Sequence, residues 1–222
     1  MVIFSLNGVL VDTLDAIREV YRAAFLHLGI DLTEAHLDEM YRSREMSSLD
    51  QQLIAAAQHL NKTSSLAHFG DRRDQIIRDR MLIHRYATRS LAWLPQPRAI
   101  IDWLPLKQMH MLLEASGLST RFRPENVVSF CGGHYEDGLV RAAKSLGRSP
   151  SLSIVVESDP DLIARAAALG FEVIGIALPT PIESNQLNSL ARAGAALTVP
   201  DFRYLRLAVD SIAYRTASRK IY

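Results

Sequence analysis

The sequence has a single cysteine, Cys131, in 222 residues. An internal disulfide is therefore excluded, and a reducing, cytoplasmic setting is the expectation. No apolar run approaches the ~20 residues that span a bilayer. The N-terminus lacks the basic stretch, apolar core and small-residue cleavage site of a secretory leader. Charge of one sign is lacking too: 25 Lys and Arg against 24 Asp and Glu leave a net +1, so neither nucleic acid nor a membrane surface is expected as a partner. The histidines at 27, 36, 59, 68, 84, 110 and 134 show no H-x-x-x-H or H-E-x-x-H spacing, and no transition-metal site is expected. There is no internal repeat and no low-complexity segment.

What is present is a large hydrophobic share, 48%, enough for the core of one domain or of one domain carrying a large insertion. Val2 to Phe4 is a β-prone apolar run that reads as a buried strand. Ser5, Leu6, Asn7 and Gly8 follow at its carboxyl end, where an open α/β sheet places its ligand site. Ile17, Val20, Tyr21, Ala24 and Phe25 then recur at helical spacing, with Gly29 as the stop. Residues 31–90 read as helices without a convincing strand: a short one capped by Thr33, one following Ser47 and Ser48, and a long one opened by Ser64 and Ser65. The mixed signs between Asp71 and Arg80 read as a solvated helix face.

The α/β pattern resumes near residue 91. Pro95 and Pro97 predict the start of a helix with Ala99 to Leu104 as its body, and Leu106 to Ser116 predicts another. Strands are predicted at 126–130, 153–156, 172–176 and 197–199, helices at 136–146, 159–169 and 182–193, and Asp201 as the N-cap of a C-terminal helix. This alternation predicts an α/β fold with a doubly wound, Rossmann-like parallel sheet formed by residues 1–13 and 91–222, with residues 14–90 inserted as a helical cap. Trp93 and Trp103 are expected to pack where cap and core meet, and Cys131 to be a semi-buried core residue.

The opening Met1-Val-Ile-Phe-Ser-Leu-Asn-Gly-Val-Leu-Val-Asp-Thr13 resembles the first motif of the haloacid dehalogenase-like (HAD) superfamily, a hydrophobic strand followed by D-x-D-G-x-L-x-D-[ST]. Asp137-Gly-Leu-Val-Arg-Ala-Ala-Lys-Ser-Leu-Gly147 is similar to the P-D-x-[FY]-x-x-A-A-x-x-L-G helix of its helical-cap subgroup, which includes phosphoglycolate phosphatase and β-phosphoglucomutase. Val155-Val-Glu-Ser-Asp-Pro160, continuing through Ala166 to Ile176, is similar to that subgroup's V-x-E-D-S-P and A-A-x-x-A-G-x-x-V-I-G-V segments. The resemblance spans nearly the whole chain and implies this fold.

It also implies a set of catalytic positions, and here they are altered. The family's phosphatases use a nucleophilic aspartate, a second aspartate as acid and base, a Ser or Thr that grips phosphate at the end of the second core strand, a lysine, and acidic residues that complete a magnesium site. The nucleophile position is Ser5. The acid/base position is Asn7, which cannot exchange a proton at neutral pH. The lysine position is Gly133, with His134 beside it. A ligand aspartate is replaced by Ser158, flanked by Glu157 and Asp159, and Asp159 reads as the N-cap of the next helix. Leu104, Pro105 and Leu106 nearly join two helices, so the core is expected to lack its second strand unless Leu106 to Leu113 forms it. A missing strand would leave the first strand's edge open to strand addition by a partner.

These losses imply a catalytically degenerate HAD-like protein. It would be a non-enzymatic binding or regulatory module, with no cofactor and an unidentified protein or small molecule as ligand. The alternative is a HAD-like phosphatase acting on a small phosphorylated metabolite with unorthodox residues. Magnesium would then be needed, and Asp12, Asp15, His134, Glu157 and Asp159 would have to converge in the cleft.

Overall fold

The structure is a computed structural model, which describes residues 1–37, 46–94, 97–177 and 184–218. Six parallel strands form one sheet: β1 (Val2–Ser5), β4 (Arg98–Asp102), β5 (Val127–Ser129), β6 (Ile154–Glu157), β7 (Glu172–Ile176) and β8 (Leu197–Val199), in the order β5-β4-β1-β6-β7-β8. This is the doubly wound order in which the connections diverge on either side of the first strand. Phe4 lies opposite Ile100 on one side and Val156 on the other. Val2, Ile3 and Phe4 are fully buried, as an unbroken apolar run in a parallel sheet covered on both faces should be.

The second core strand is present, which corrects the expectation of a missing one. Arg98 to Asp102 pairs with β1 in parallel from Val2↔Arg98 to Ser5↔Ile101. An apolar run as short as Ala99-Ile-Ile101 has no period that separates strand from helix, and the neighbouring prolines tipped the reading. Pro97 is described and Pro95 lies outside the described residues. No spare length is needed between strand and helix. Asp102 Oδ1 accepts the Leu104 N–H at 3.0 Å, and the helix α5 (Leu106–Ala115) begins immediately after Pro105. Its buried residues, Gln108, Met109, Leu112 and Leu113, follow helical spacing, so Leu106 to Leu113 is not a strand. Because β1 is hydrogen-bonded on both sides, the open edge proposed for strand addition does not exist there.

Between β2 (Val11–Asp12) and β3 (Leu82–Ile83) the chain makes a helical excursion: α1 (Leu14–His27), α2 (Met46–His59), a 3₁₀ turn at Thr63–Leu66, and α3 (Phe69–Arg80). β2 and β3 pair antiparallel, Val11↔Ile83 and Asp12↔Leu82, so the excursion leaves and returns through one short stem. Two residues per strand give no alternation to detect, which hid β3 in the sequence. Ser64 and Ser65 lie in the 3₁₀ turn rather than at the head of α3. After the stem come α4 (Ala87–Trp93) and, around the sheet, α6 (Tyr135–Ser145), α7 (Pro160–Ala168), α8 (Ser184–Arg192) and α9 (Leu205–Ser218).

The charged face of α3 is only partly solvated. Arg73 is buried and donates to Asp50 Oδ2 at 2.5 Å and to Asp74 Oδ1 at 2.9 Å. Tyr21 Oη donates to Asp50 Oδ1 at 2.6 Å, and Gln108 Nε2 reaches Asp74 Oδ1 at 3.1 Å, tying the excursion to α5. Burial, followed by the Asp50 carboxylate, pushes the Tyr21 hydroxyl far above the usual tyrosine range. Of the two tryptophans, Trp103 is 5% exposed and packs in the core, while Trp93 is 62% exposed and does not. Cys131 is exposed rather than semi-buried, because the neighbouring Phe130 fills the inward position.

Candidate functional site

The carboxyl ends of β1, β4 and β6 meet at a cleft of about 80 Å³. A tight turn begins there: Leu10 and Val11 donate to the Leu6 carbonyl at 2.9 and 3.0 Å, and the Gly8 N–H reaches Val11 O at 2.7 Å. Gly8 makes this possible with φ of +81°, a conformation costly for a residue with a side chain. A Cβ at Gly8 would also sit 3.4 Å from Ser158 Oγ.

The polar wall consists of Ser5, Asn7, Asp102, Glu157, Ser158 and Asp159, and the apolar wall of Ile101, Trp103, Phe130 and Leu162. Glu157, 2% exposed, accepts from the Ser5 hydroxyl, from Tyr135 Oη at 3.4 Å, and from the backbone N–H groups of Ser158 and Asp159 at 2.8 and 3.2 Å. Asp102, 3% exposed, accepts the Asn7 N–H at 2.7 Å on Oδ2. The Asn7 side chain accepts the Thr13 N–H at 3.1 Å, which leaves its buried Nδ2 without a hydrogen-bond partner among the described residues. Ser158 Oγ donates to Gly8 O at 2.7 Å and pins the first loop to the one after β6.

The sequence-predicted positions divide between cleft and surroundings. Ser5, Asn7, Glu157, Ser158 and Asp159 come together. Asp159 is the N-cap of α7, accepting the N–H groups of Asp161 and Leu162 at 2.8 and 3.2 Å. Asp12 sits on β2, where it accepts the Leu14 N–H at 2.9 Å; it does not line the cleft. Asp15 is exposed on α1, and His134 is exposed just before α6. Gly133, in the turn after β5, donates its N–H to Phe130 O at 2.9 Å and brings no cation. Two participants escaped the sequence reading, Asp102 and Tyr135. Asp102 would have been found had Ala99 to Ile101 been taken as a strand, since it then stands at that strand's carboxyl end.

The cleft wall carries three carboxylates and, among the described residues, no Lys, Arg or His. The magnesium ion that the resemblance implies needs several convergent oxygen ligands. Here Ser158 spends its hydroxyl on Gly8, Asp159 caps a helix, and Glu157 is held by four donors. Among the described residues no group of three or more His, Cys, Asp or Glu is placed to hold a metal ion. The donor set does not fit the ion.

No family model and no protein of curated function matches the sequence. Solved structures do match. A HAD family hydrolase from Deinococcus radiodurans, with bound phosphate and sodium, superposes with a TM-score of 0.66 at 23% identity, covering 95% of each chain. A HAD hydrolase of family IA, variant 3, from Entamoeba histolytica gives 0.70 at 19% identity over 97% of this chain and 98% of its own. A β-phosphoglucomutase from Clostridium difficile gives 0.68 at 16% identity over 100% and 98%. The fold is thus that of the HAD-like hydrolases, with its insertion included. Among the described residues no helix is long and apolar enough to cross a membrane.

Proposed function

We propose that the chain is a catalytically silent protein of HAD-like fold that acts by binding, as a regulatory or ligand-holding module. The observation that carries this reading is the Asp102 carboxylate on the Asn7 N–H, 2.7 Å away, where the resemblance puts a phosphate-gripping hydroxyl. A carboxylate of the chain itself holds a donor that could otherwise face a substrate oxygen. Glu157 and Asp159 add further negative charge, and Gly133 supplies none of the lysine's positive charge. Two like charges 4 Å apart repel by about 4 kcal/mol at an effective dielectric of 20, so each carboxylate works against a phosphate dianion. Groups that act as a unit in catalysis fail together, and the nucleophile, acid/base, lysine and metal-ligand positions are all changed. In this reading residues 14–90 form a cap over the cleft, the occupant is a small molecule or protein segment other than a phosphomonoester, and no magnesium is used. The lone cysteine supports a cytoplasmic setting.

One contact favours a second reading, a hydrolase with unorthodox residues: the Ser5 hydroxyl donates to Glu157, which would be its base. The two are separated by assaying p-nitrophenyl phosphate and small sugar phosphates with magnesium. The binding reading expects background turnover. Turnover above background that is lost in both Ser5→Ala and Glu157→Gln would establish the hydrolase.

A further inference from the structure

We propose that the groove between α4 and residues 202–206 is a binding site for a small aromatic anion, of the chemical class of a nucleoside monophosphate. It is separate from the cleft and does not rest on the reading given for it. Its volume is about 420 Å³, in the range of small-molecule sites and too small for a folded partner element.

Two kinds of side chain line it. Tyr86, Trp93 and Phe202 supply rings, and Arg89, Arg203 and Arg206 supply guanidinium groups. Among the described residues no carboxylate lines the groove. Asp201 and Asp210 hold Arg203 and Arg206 at 2.6 and 2.9 Å from outside it. Arg206 also donates to the Trp93 carbonyl. Arg89 has no acidic partner among the described residues. Guanidinium and ring already meet in the wall, where Arg203 lies 5.2 Å from the Tyr86 ring centroid; Arg85, outside the lining, lies 4.8 Å from the same ring. The two sides are fastened to each other, since Ser90 Oγ donates to Phe202 O at 2.7 Å. The groove is therefore preformed.

The chemistry selects the ligand. An inorganic anion would satisfy Arg89 but leave the exposed Trp93 face uncovered. A neutral aromatic would stack but leave the guanidinium unneutralised. A planar base joined to a phosphate does both, by stacking on Trp93 and by a charge-assisted hydrogen bond from Arg89.

Trp93 makes the test direct, because it is 62% exposed whereas Trp103 is 5% exposed. The full chain is titrated with adenosine 5′-monophosphate while tryptophan fluorescence is followed, with calorimetry in parallel. Saturable quenching is expected, at least tenfold weaker for adenosine or inorganic phosphate alone, and weakened by added salt. Arg89→Ala should lower affinity at least tenfold, and Trp93→Phe should remove the quenching and weaken the calorimetric affinity. Both side chains are exposed, so melting temperatures should stay at the wild-type value. The proposal is overturned if no saturation is reached at millimolar nucleotide, if adenosine binds as well as its monophosphate, or if both variants bind as wild type. Self-association abolished by Trp93→Glu, or binding of an RNA oligonucleotide but of no mononucleotide, would overturn it too.

Discussion

Two concave regions of this molecule carry opposite chemistry. The cleft at the ends of β1, β4 and β6 is lined by three carboxylates and no cationic side chain among the described residues. The groove beside α4 is lined by three arginines and, among the described residues, no carboxylate. The cleft lies at the carboxyl ends of the strands, and apart from Asn7 Nδ2 its polar side chains are engaged with the fold's own hydrogen-bonding groups. In the groove, Arg89 and the exposed Trp93 are left facing outward. One scaffold, with its strand order, its Gly8 turn and its helical excursion, thus carries an acidic cleft and a basic groove.

If the cleft is wired into the fold and the groove is not, substitutions should separate them. The largest effect is expected from Glu157→Ala, which strands two hydroxyls and two backbone N–H groups in a buried place. A loss of about 3 kcal/mol is predicted by chemical denaturation, against about 1 kcal/mol for Glu157→Gln. Asp102→Ala follows at about 2 kcal/mol, because the Asn7 and Leu104 N–H groups lose their acceptor. A cleft that tolerated both would be an open site rather than an internal network.

The stem between the two regions gives a pH test. Burial, only partly opposed by Asp12, lowers the pKa of His84 below its ordinary 6.5. The fold therefore favours the neutral ring. Its contribution is complete above about pH 6.5 and is lost as pH falls through the lowered value. Stability measured from pH 7.5 to 5 should decline, and the decline should be shallower in His84→Gln; an unchanged slope would show that His84 is not the titrating group. Glu136 titrates lower still. Its bidentate contact with Arg165 holds it down to about 2, so that contribution persists until strongly acid pH. The pair is exposed, and Glu136→Gln should cost about 0.5 kcal/mol or less at neutral pH. The smallest effect belongs to the groove, where Arg89→Ala should leave stability within about 0.5 kcal/mol of wild type.

Much of the scaffold could be read from residue types. The strand candidates at 172–176 and 197–199 coincide with β7 and β8, and Asp159 caps α7 as its position before Pro160 suggested. The failures share a cause. β3 has only two residues, and the apolar run of β4 fits strand and helix alike, so the prolines beside it pointed to a helix; only pairing with β2 and β1 makes them strands. Missing β4 concealed Asp102, and with it the self-pairing of the cleft. His134 was a candidate because it adjoins Gly133 in sequence, but the turn after β5 leaves it exposed. Sequence adjacency gives no direction to a loop side chain. The hydrogen bonds from Ser5 and Tyr135 to Glu157 span 152 and 22 residues, which no local pattern records. The predicted helix from Ile182 begins outside the described residues and is seen from Ser184.

The central claim is that this cleft repels phosphate. Calorimetric titration of the full chain with inorganic phosphate, with and without magnesium, tests it most directly, with Arg89→Ala titrated alongside so that anion uptake in the groove is recognised. The expected result is no saturable heat assignable to the cleft. Saturable binding retained in Arg89→Ala and abolished by Ser5→Ala would contradict the account.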